Sequence, residues 1–419
     1  MIKQSQPTAY PIHRTVLQRS FFSICCLILL LTGCANIPQQ QVSTPTPTPT
    51  RQTTTKGDEN TAEDLALSQR LAKAKSILQQ MSLEEKLGQL IMVEYMGATY
   101  EGSELSYMVS KQHVGGYLYQ SVNGNFDPPS NTIDTAKQIP ISANQDAKIP
   151  LLIAIDQEGG EVNKLATFYG ETPSASTLGA SDDPETVFKA GTQTAEHMKQ
   201  LGINTDLAPV VDVATATPPL LSMRTFGTNA QTVSTYAGQF LDGLQKNNII
   251  GTLKHFPGLG SLTSNDDPHN TLPIVNRSRQ DLDKIDLAPY KQIIENEHPA
   301  MIMSTDVVTT AIDPDLPAEL SPKAINGVLR KELGYNGVVI TDGLYMQGIT
   351  AKWSIPEAAV MAIVAGNDMI EGPYDSTQVE GVIEALQKAV QSGELTQQRV
   401  DEAVERILLM KLQYGIIKA

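Results

Sequence analysis

Past Cys34 the chain contains no cysteine, and the other two, Cys25 and Cys26, lie in an N-terminal apolar stretch. The folded region can therefore hold neither an internal disulfide nor a cysteine metal site. It must rely on a large apolar core, which 419 residues allow. Basic charge is also scarce: 31 Lys and Arg stand against 46 Asp and Glu, a net charge of −15. Such a chain repels phosphates and shows no basic stripe, which argues against nucleic acid as a partner. No short repeat appears along it. What is present, 41% hydrophobic and 18% charged residues, is compatible with a globular domain.

The longest N-terminal apolar run, Phe21 to Leu31, is too short for a comfortable membrane span. With Lys3, Arg14 and Arg19 before it, the run suits a signal peptide. It ends at Leu31-Thr32-Gly33-Cys34, which resembles a bacterial lipobox. On that reading residues 1–33 are removed and the Cys34 thiol takes a lipid, anchoring the protein to a membrane. The alternatives are an ordinary secretory signal or an uncleaved anchor. Residues 34–62 read as linker, with Pro45, Pro47 and Pro49 alternating with threonine. Alternate prolines forbid a helix and favour an extended, solvated spacer. The folded domain is expected over residues 63–419.

Ser82-Leu83-Glu84-Glu85 is a capping-box pattern opening a helix. Short apolar runs follow at Leu90–Glu94, Val114–Tyr119, Leu151–Ile155, Ile203–Leu207, Ile249–Leu253, Ala300–Met303, Gly337–Thr341 and Asp368–Ile370. Helical patterns fall between several of them, at Pro184–Leu201, Gln231–Lys246, Arg279–Glu295 and Pro322–Leu333. Val379–Ser392 and Gln397–Gln413 read as closing helices. Eight β units with helices between them predict an α/β fold, a single (β/α)8 barrel. A doubly wound sheet is the alternative.

In a barrel, function gathers where strands end. The residues at those ends here are Asp156, Asp206 and Asp212, Lys254 and His255, Asp306, Asp342 and Glu371, with Arg224 on a loop beyond strand four. Carboxylates, cations and histidines on one rim suit sugar hydroxyls, which need both donors and acceptors. Bland readings stand beside these. Asp342 could be a helix N-cap, Asp267-Pro268-His269 a surface turn, Lys254 and Arg224 rim salt bridges, and His255 a core histidine. His113, His197 and His298 lack any supporting pattern.

Five segments at those positions carry a resemblance. They are Asp156-Gln157-Glu158-Gly159-Gly160, Arg224-Thr225-Phe226-Gly227, Lys254-His255-Phe256-Pro257-Gly258, Asp267-Pro268-His269 and Gly337-Val338-Val339-Ile340-Thr341-Asp342-Gly343-Leu344. In this order the sequence resembles glycoside hydrolase family 3, within it the single-domain β-N-acetylhexosaminidases, from roughly Met81 to Ile416. The resemblance implies that Asp342 is a nucleophile forming a covalent glycosyl-enzyme in retaining hydrolysis. It makes His269 the general acid/base, a residue type that titrates near neutrality, with Asp267 orienting it. It makes Asp156, Arg224, Lys254 and His255 the sugar-binding set, and β-N-acetylglucosaminide oligosaccharides of cell-wall or chitin type the substrates. It calls for no cofactor and no metal. A family β-glucosidase, a glycoside phosphorylase and a non-catalytic sugar-binding lipoprotein are the alternatives.

The chain departs from the family in four places. Leu259 stands where a second histidine is usual, Glu161 where an arginine follows the double glycine, and Asp306 where a histidine is common. The loop from Gly260 to Asp267 is longer, which leaves Asp266 as an alternative partner of His269, although spacing favours Asp267.

Overall fold

The computed structural model describes residues 56–418. Eight parallel strands close into a barrel: β1 (Ile91–Glu94), β2 (Gly116–Tyr119), β3 (Leu152–Ile155), β4 (Thr205–Asp206), β5 (Ile250–Phe256), β6 (Met301–Ser304), β7 (Val338–Gly343) and β8 (Met369–Glu371). Closure is made by β1 on β8, with Ile91 opposite Ile370 and Met92 opposite Glu371. Barrel strands are covered by helices outside and side chains inside, so they need apolar runs rather than alternation. β1, β2, β3 and β6 are indeed buried at every position. The expected (β/α)8 barrel is what the chain forms, and the doubly wound alternative falls with the closing pair.

The differences from the sequence reading are local. The expected helix Arg279–Glu295 is two, Arg279–Lys284 and Leu287–Glu297. Pro289 lacks an amide proton, and its ring crowds the carbonyl four residues back, at Ile285, where the break lies. Lys323–Glu332 takes the wider π pattern, with Leu333 N donating to Val328 O at 2.9 Å. β5 and β7 run further than their apolar stretches, so that Lys254, His255 and Asp342 lie within strands. The helix Lys56–Gln80 begins inside the stretch read as linker. The signal peptide, Cys34 and the proline-rich stretch lie outside the described residues.

The capping box at Ser82 forms, Glu85 N donating to Ser82 Oγ and Ser82 N to Glu85 Oε2. At the end away from the site the closing helix Gln397–Gln413 is clamped by charge. The fully buried Asp368 accepts from Arg330, Arg399 and Arg406 at 2.6, 2.9 and 3.0 Å. Burial alone would raise the Asp368 carboxyl, but the three guanidinium groups outweigh it and hold the carboxyl low. No helix among the described residues is long and apolar enough to cross a membrane.

Candidate active site

A cleft open to solvent lies at the carboxyl ends of the strands. Asp156, Arg224, Lys254, His255, Asp267, His269 and Asp342 all line it. The structure thus brings all seven expected site residues to one place. His113, His197 and His298 do not line it.

One wall is an ion-pair network. Lys254 Nζ lies 2.6 Å from Asp156 Oδ1 and 2.7 Å from Glu158 Oε1. Arg224 binds Glu158 through both carboxylate oxygens, Nε at 2.7 Å and Nη2 at 2.8 Å. Gln120 Nε2 donates to the second oxygen of Asp156 at 3.1 Å. Burial alone would raise Glu158 and lower Lys254. Their partners outweigh burial, so the carboxyl is held below its usual range and the ammonium above it. Glu158 and Lys254 therefore stay charged, and the ion pairs hold them fixed, the condition for presenting donors and acceptors to a polar ligand without reorganisation. Glu158 lay inside one of the quoted segments, but its spacing gave no sign that it would bridge both cations.

His255 Nδ1 lies 2.8 Å from Asp212 Oδ2, which stands behind the wall. Asp212 also accepts the amides of His255, at 3.2 Å, and Leu259, at 2.5 Å. Leu259 lines the cleft, so its main chain helps to hold the strand end while its side chain adds an apolar surface. Arg224 Nη2 faces His255 Nε2 at 3.4 Å. A guanidinium can only donate, so this nitrogen is the acceptor and Nδ1 carries the proton. Asp206, Asp212 and Asp306, expected on the rim, are buried and do not line the cleft. They stand behind its wall.

The cleft is also lined by Asp342, Asp267 and His269. Asp342 Oδ2 accepts from Thr305 Oγ1 at 2.8 Å and Oδ1 from Gly343 N at 2.9 Å, leaving the carboxylate fixed and partly open. His269 Nδ1 lies 2.8 Å from Asp267 Oδ1, and His269 N donates to the same oxygen at 3.0 Å. Asp266 is engaged elsewhere, accepting from Thr263 N and Oγ1 at 3.0 and 2.7 Å. Asp267 is therefore the residue that meets His269. The amide of Gly348 donates to Pro268 O at 3.2 Å, tying this loop to the segment after β7. Glu161, exposed, and Lys164 line the mouth.

Beneath Asp342 lie acids without cations. Asp306 and Glu319 are fully buried, and neither forms an ion pair among the described residues. Burial, then Asp342, pushes Asp306 up to about 9, and burial followed by Asp306 and Asp342 raises Glu319. Glu371 on β8 is raised by burial, then by Glu94 and Asp342. Nothing in the sequence marked Glu319, which sits in a single turn, Ala318–Leu320, far from any strand end.

The chain is similar to known proteins over most of its length. Residues 82–410 match the family described as Glycosyl hydrolase family 3 N terminal domain. Beta-hexosaminidase LpqI of Mycobacterium tuberculosis is 31% identical over 373 residues, 87% of this chain and 92% of that protein. The solved structure of LpqI has a TM-score of 0.72 at 29% identity, over 81% of this chain and 96% of that one. A glycoside hydrolase family 3 beta-N-acetylglucosaminidase from Paenibacillus sp. superposes with a TM-score of 0.74 at 32% identity. That match covers 80% of this chain and 63% of the Paenibacillus chain.

Proposed function

The chain belongs to glycosyl hydrolase family 3, and on that premise we propose that it is a retaining β-N-acetylhexosaminidase. It removes terminal N-acetylglucosamine from cell-wall or chitin-type oligosaccharides. The observation that carries this reading is a single cleft lined by Asp342, the Asp267–His269 pair and the Asp156–Lys254–Glu158–Arg224 network.

In the first step a carboxylate oxygen of Asp342 bonds to the anomeric carbon as the bond to the leaving oxygen breaks. His269 gives its Nε2 proton to that oxygen. Asp267 holds Nδ1, so Nε2 is the nitrogen left for the substrate. In the second step water attacks the anomeric carbon, its proton passes to His269, and Asp342 departs. Asp156, Arg224 and Lys254 bind the sugar hydroxyls together with His255, which Asp212 holds in place. Neither metal nor cofactor enters these steps. Export and anchoring through a lipid on Cys34 complete the proposal.

The test is paired hydrolysis of aryl β-N-acetylglucosaminide and aryl β-glucoside by the wild type and by Asp342→Asn. Removing the nucleophile should lower kcat by about 10⁴-fold or more. A fully active Asp342→Asn enzyme sinks the mechanism. Preference for the glucoside, or sugar phosphate released only with phosphate present, replaces the assignment with a β-glucosidase or a phosphorylase. Binding without turnover leaves a sugar-binding lipoprotein.

A further inference from the structure

Thr305 and Asp306 follow directly on β6, and both are fully buried. Thr305 Oγ1 has two carboxyl neighbours, Asp342 Oδ2 at 2.8 Å and Asp306 Oδ1 at 3.4 Å. A hydroxyl has one proton to give, and the shorter contact assigns it to Asp342. The threonine oxygen is then left with lone pairs facing Asp306. The other oxygen of Asp306, Oδ2, is buried without a hydrogen-bond partner. It is boxed in by Gly348, where even a Cβ would lie 2.0 Å away. The titratable groups facing Asp306 are Asp342 on β7, Glu319 on the turn after β6 and Asp267 on the loop after β5. All are acids, and no lysine, arginine or histidine pairs with Asp306, Glu319 or Asp342 among the described residues.

We propose that Thr305 and Asp306 position the nucleophile: Asp306 stays an uncharged acid whose Oδ1–H donates to Thr305 Oγ1, and Thr305 Oγ1–H donates to Asp342 Oδ2. The inference rests on Asp342 being the nucleophile. Neither residue touches the substrate; each acts through the next. A buried acid with acidic neighbours keeps its proton because ionisation would leave an unpaired charge out of water. Held that way it can donate, and a chain of donors pointing at Asp342 favours the carboxylate form that must attack. The rise of the Asp306 carboxyl to about 9 agrees with this geometry.

The experiment uses dinitrophenyl β-N-acetylglucosaminide, whose leaving group needs no proton, so that His269 does not shape the alkaline limb of kcat/KM. The wild type should lose activity as pH rises through about 9, when Asp306 ionises, stops donating and sets a second charge beside Asp342. Thr305→Val should lower kcat about 10- to 100-fold with little change in KM, the scale of a hydrogen bond to a charged group. Its low-pH limb should move to higher pH, and Thr305→Ser should restore both. Asp306→Ala should fall by a similar factor. Asp306→Asn should rescue it, since the amide N–H also donates, and should lack the limb near 9. If Asp306→Ala does not fold, the wild-type and Asp306→Asn profiles decide alone. An Asp306→Asn enzyme that is inactive at all pH, or that keeps the alkaline limb, overturns the proposal. A fluorinated N-acetylglucosaminyl substrate that traps the glycosyl-enzyme, read by mass spectrometry, tests the premise separately. A label off Asp342 removes the premise, whereas a label on Asp342 with unaltered Thr305→Val kinetics removes only this inference.

Discussion

Two histidines on one segment of this chain each meet an aspartate through the same contact. In each, Nδ1 lies 2.8 Å from a carboxylate oxygen. The side chain of His255 is 7% exposed and that of His269 is 65% exposed. Asp212 accepts two main-chain amides besides the ring of His255, and Arg224 occupies the other ring nitrogen. Asp267 accepts one amide, that of His269, and Nε2 of His269 makes no hydrogen bond among the described residues. The contact alone does not assign a role. A pair closed on every side holds a shape, while a pair with one nitrogen open to a cleft can move a proton. The first is read as architecture for the sugar-binding wall, the second as the acid and base.

Breaking the open pair should have the largest effect. His269→Ala should lower kcat about 10²- to 10⁴-fold on glycosides with poor leaving groups, the usual range for a general acid. The loss should shrink on activated aryl glycosides, and melting should hardly change because the residue is exposed. Equal losses on both substrate types would remove His269 from the acid role. Breaking the closed pair should show the reverse pattern. Asp212→Ala deprives a buried ring and two amides of their acceptor, so stability should fall by about 3 kcal/mol or more in denaturant titration. An unchanged midpoint would mean that the pair is not what holds the end of β5. Asp267→Asn is milder than either. It keeps an acceptor for His269 but removes the charge, so kcat should fall by about 10-fold while the melting temperature stays level.

How far this was legible in the sequence follows the same division. Apolar runs buried on both faces announced the eight strands, because a barrel strand has no polar face to confuse the signal. The residues lining the cleft were readable for a related reason: polar groups directly after an apolar run have few structural uses. What the sequence hid were contacts closed by the fold. Glu158 joins Arg224 and Lys254 from three different elements, and no spacing shows that. Glu319 reaches the floor beneath Asp342 from a turn after β6. Asp212 and Asp306 were visible as acids near strand ends, but only the fold shows that both are buried behind the cleft wall. The break at Ile285 was written in Pro289, yet the apolar periodicity runs across it and dominates the pattern.

The lesson of the paired histidines extends to two buried lysines, and there the smallest effect is expected. Lys254 meets two carboxylates and is held above its ordinary value. Lys411, in the closing helix, is equally buried but among the described residues meets only Gln89 Oε1 and Gly115 O, both at 2.9 Å. Burial without a counter-charge pushes it down to about 7. Between pH 7 and the lysine value of an unfolded chain, about 10.4, the unfolded state therefore binds more protons than the folded one. Stability contributed at this position must rise with pH across that window. Lys411→Met cannot titrate, so the melting temperature of the wild type should gain on that of the variant by about 2 °C or more from pH 7 to 10. Taking the difference between the two proteins cancels every other group that titrates there. A difference that stays flat would mean that Lys411 keeps its proton in the folded state. Gln89 and Gly115 would then be doing for it, without charge, what Asp156 and Glu158 do for Lys254.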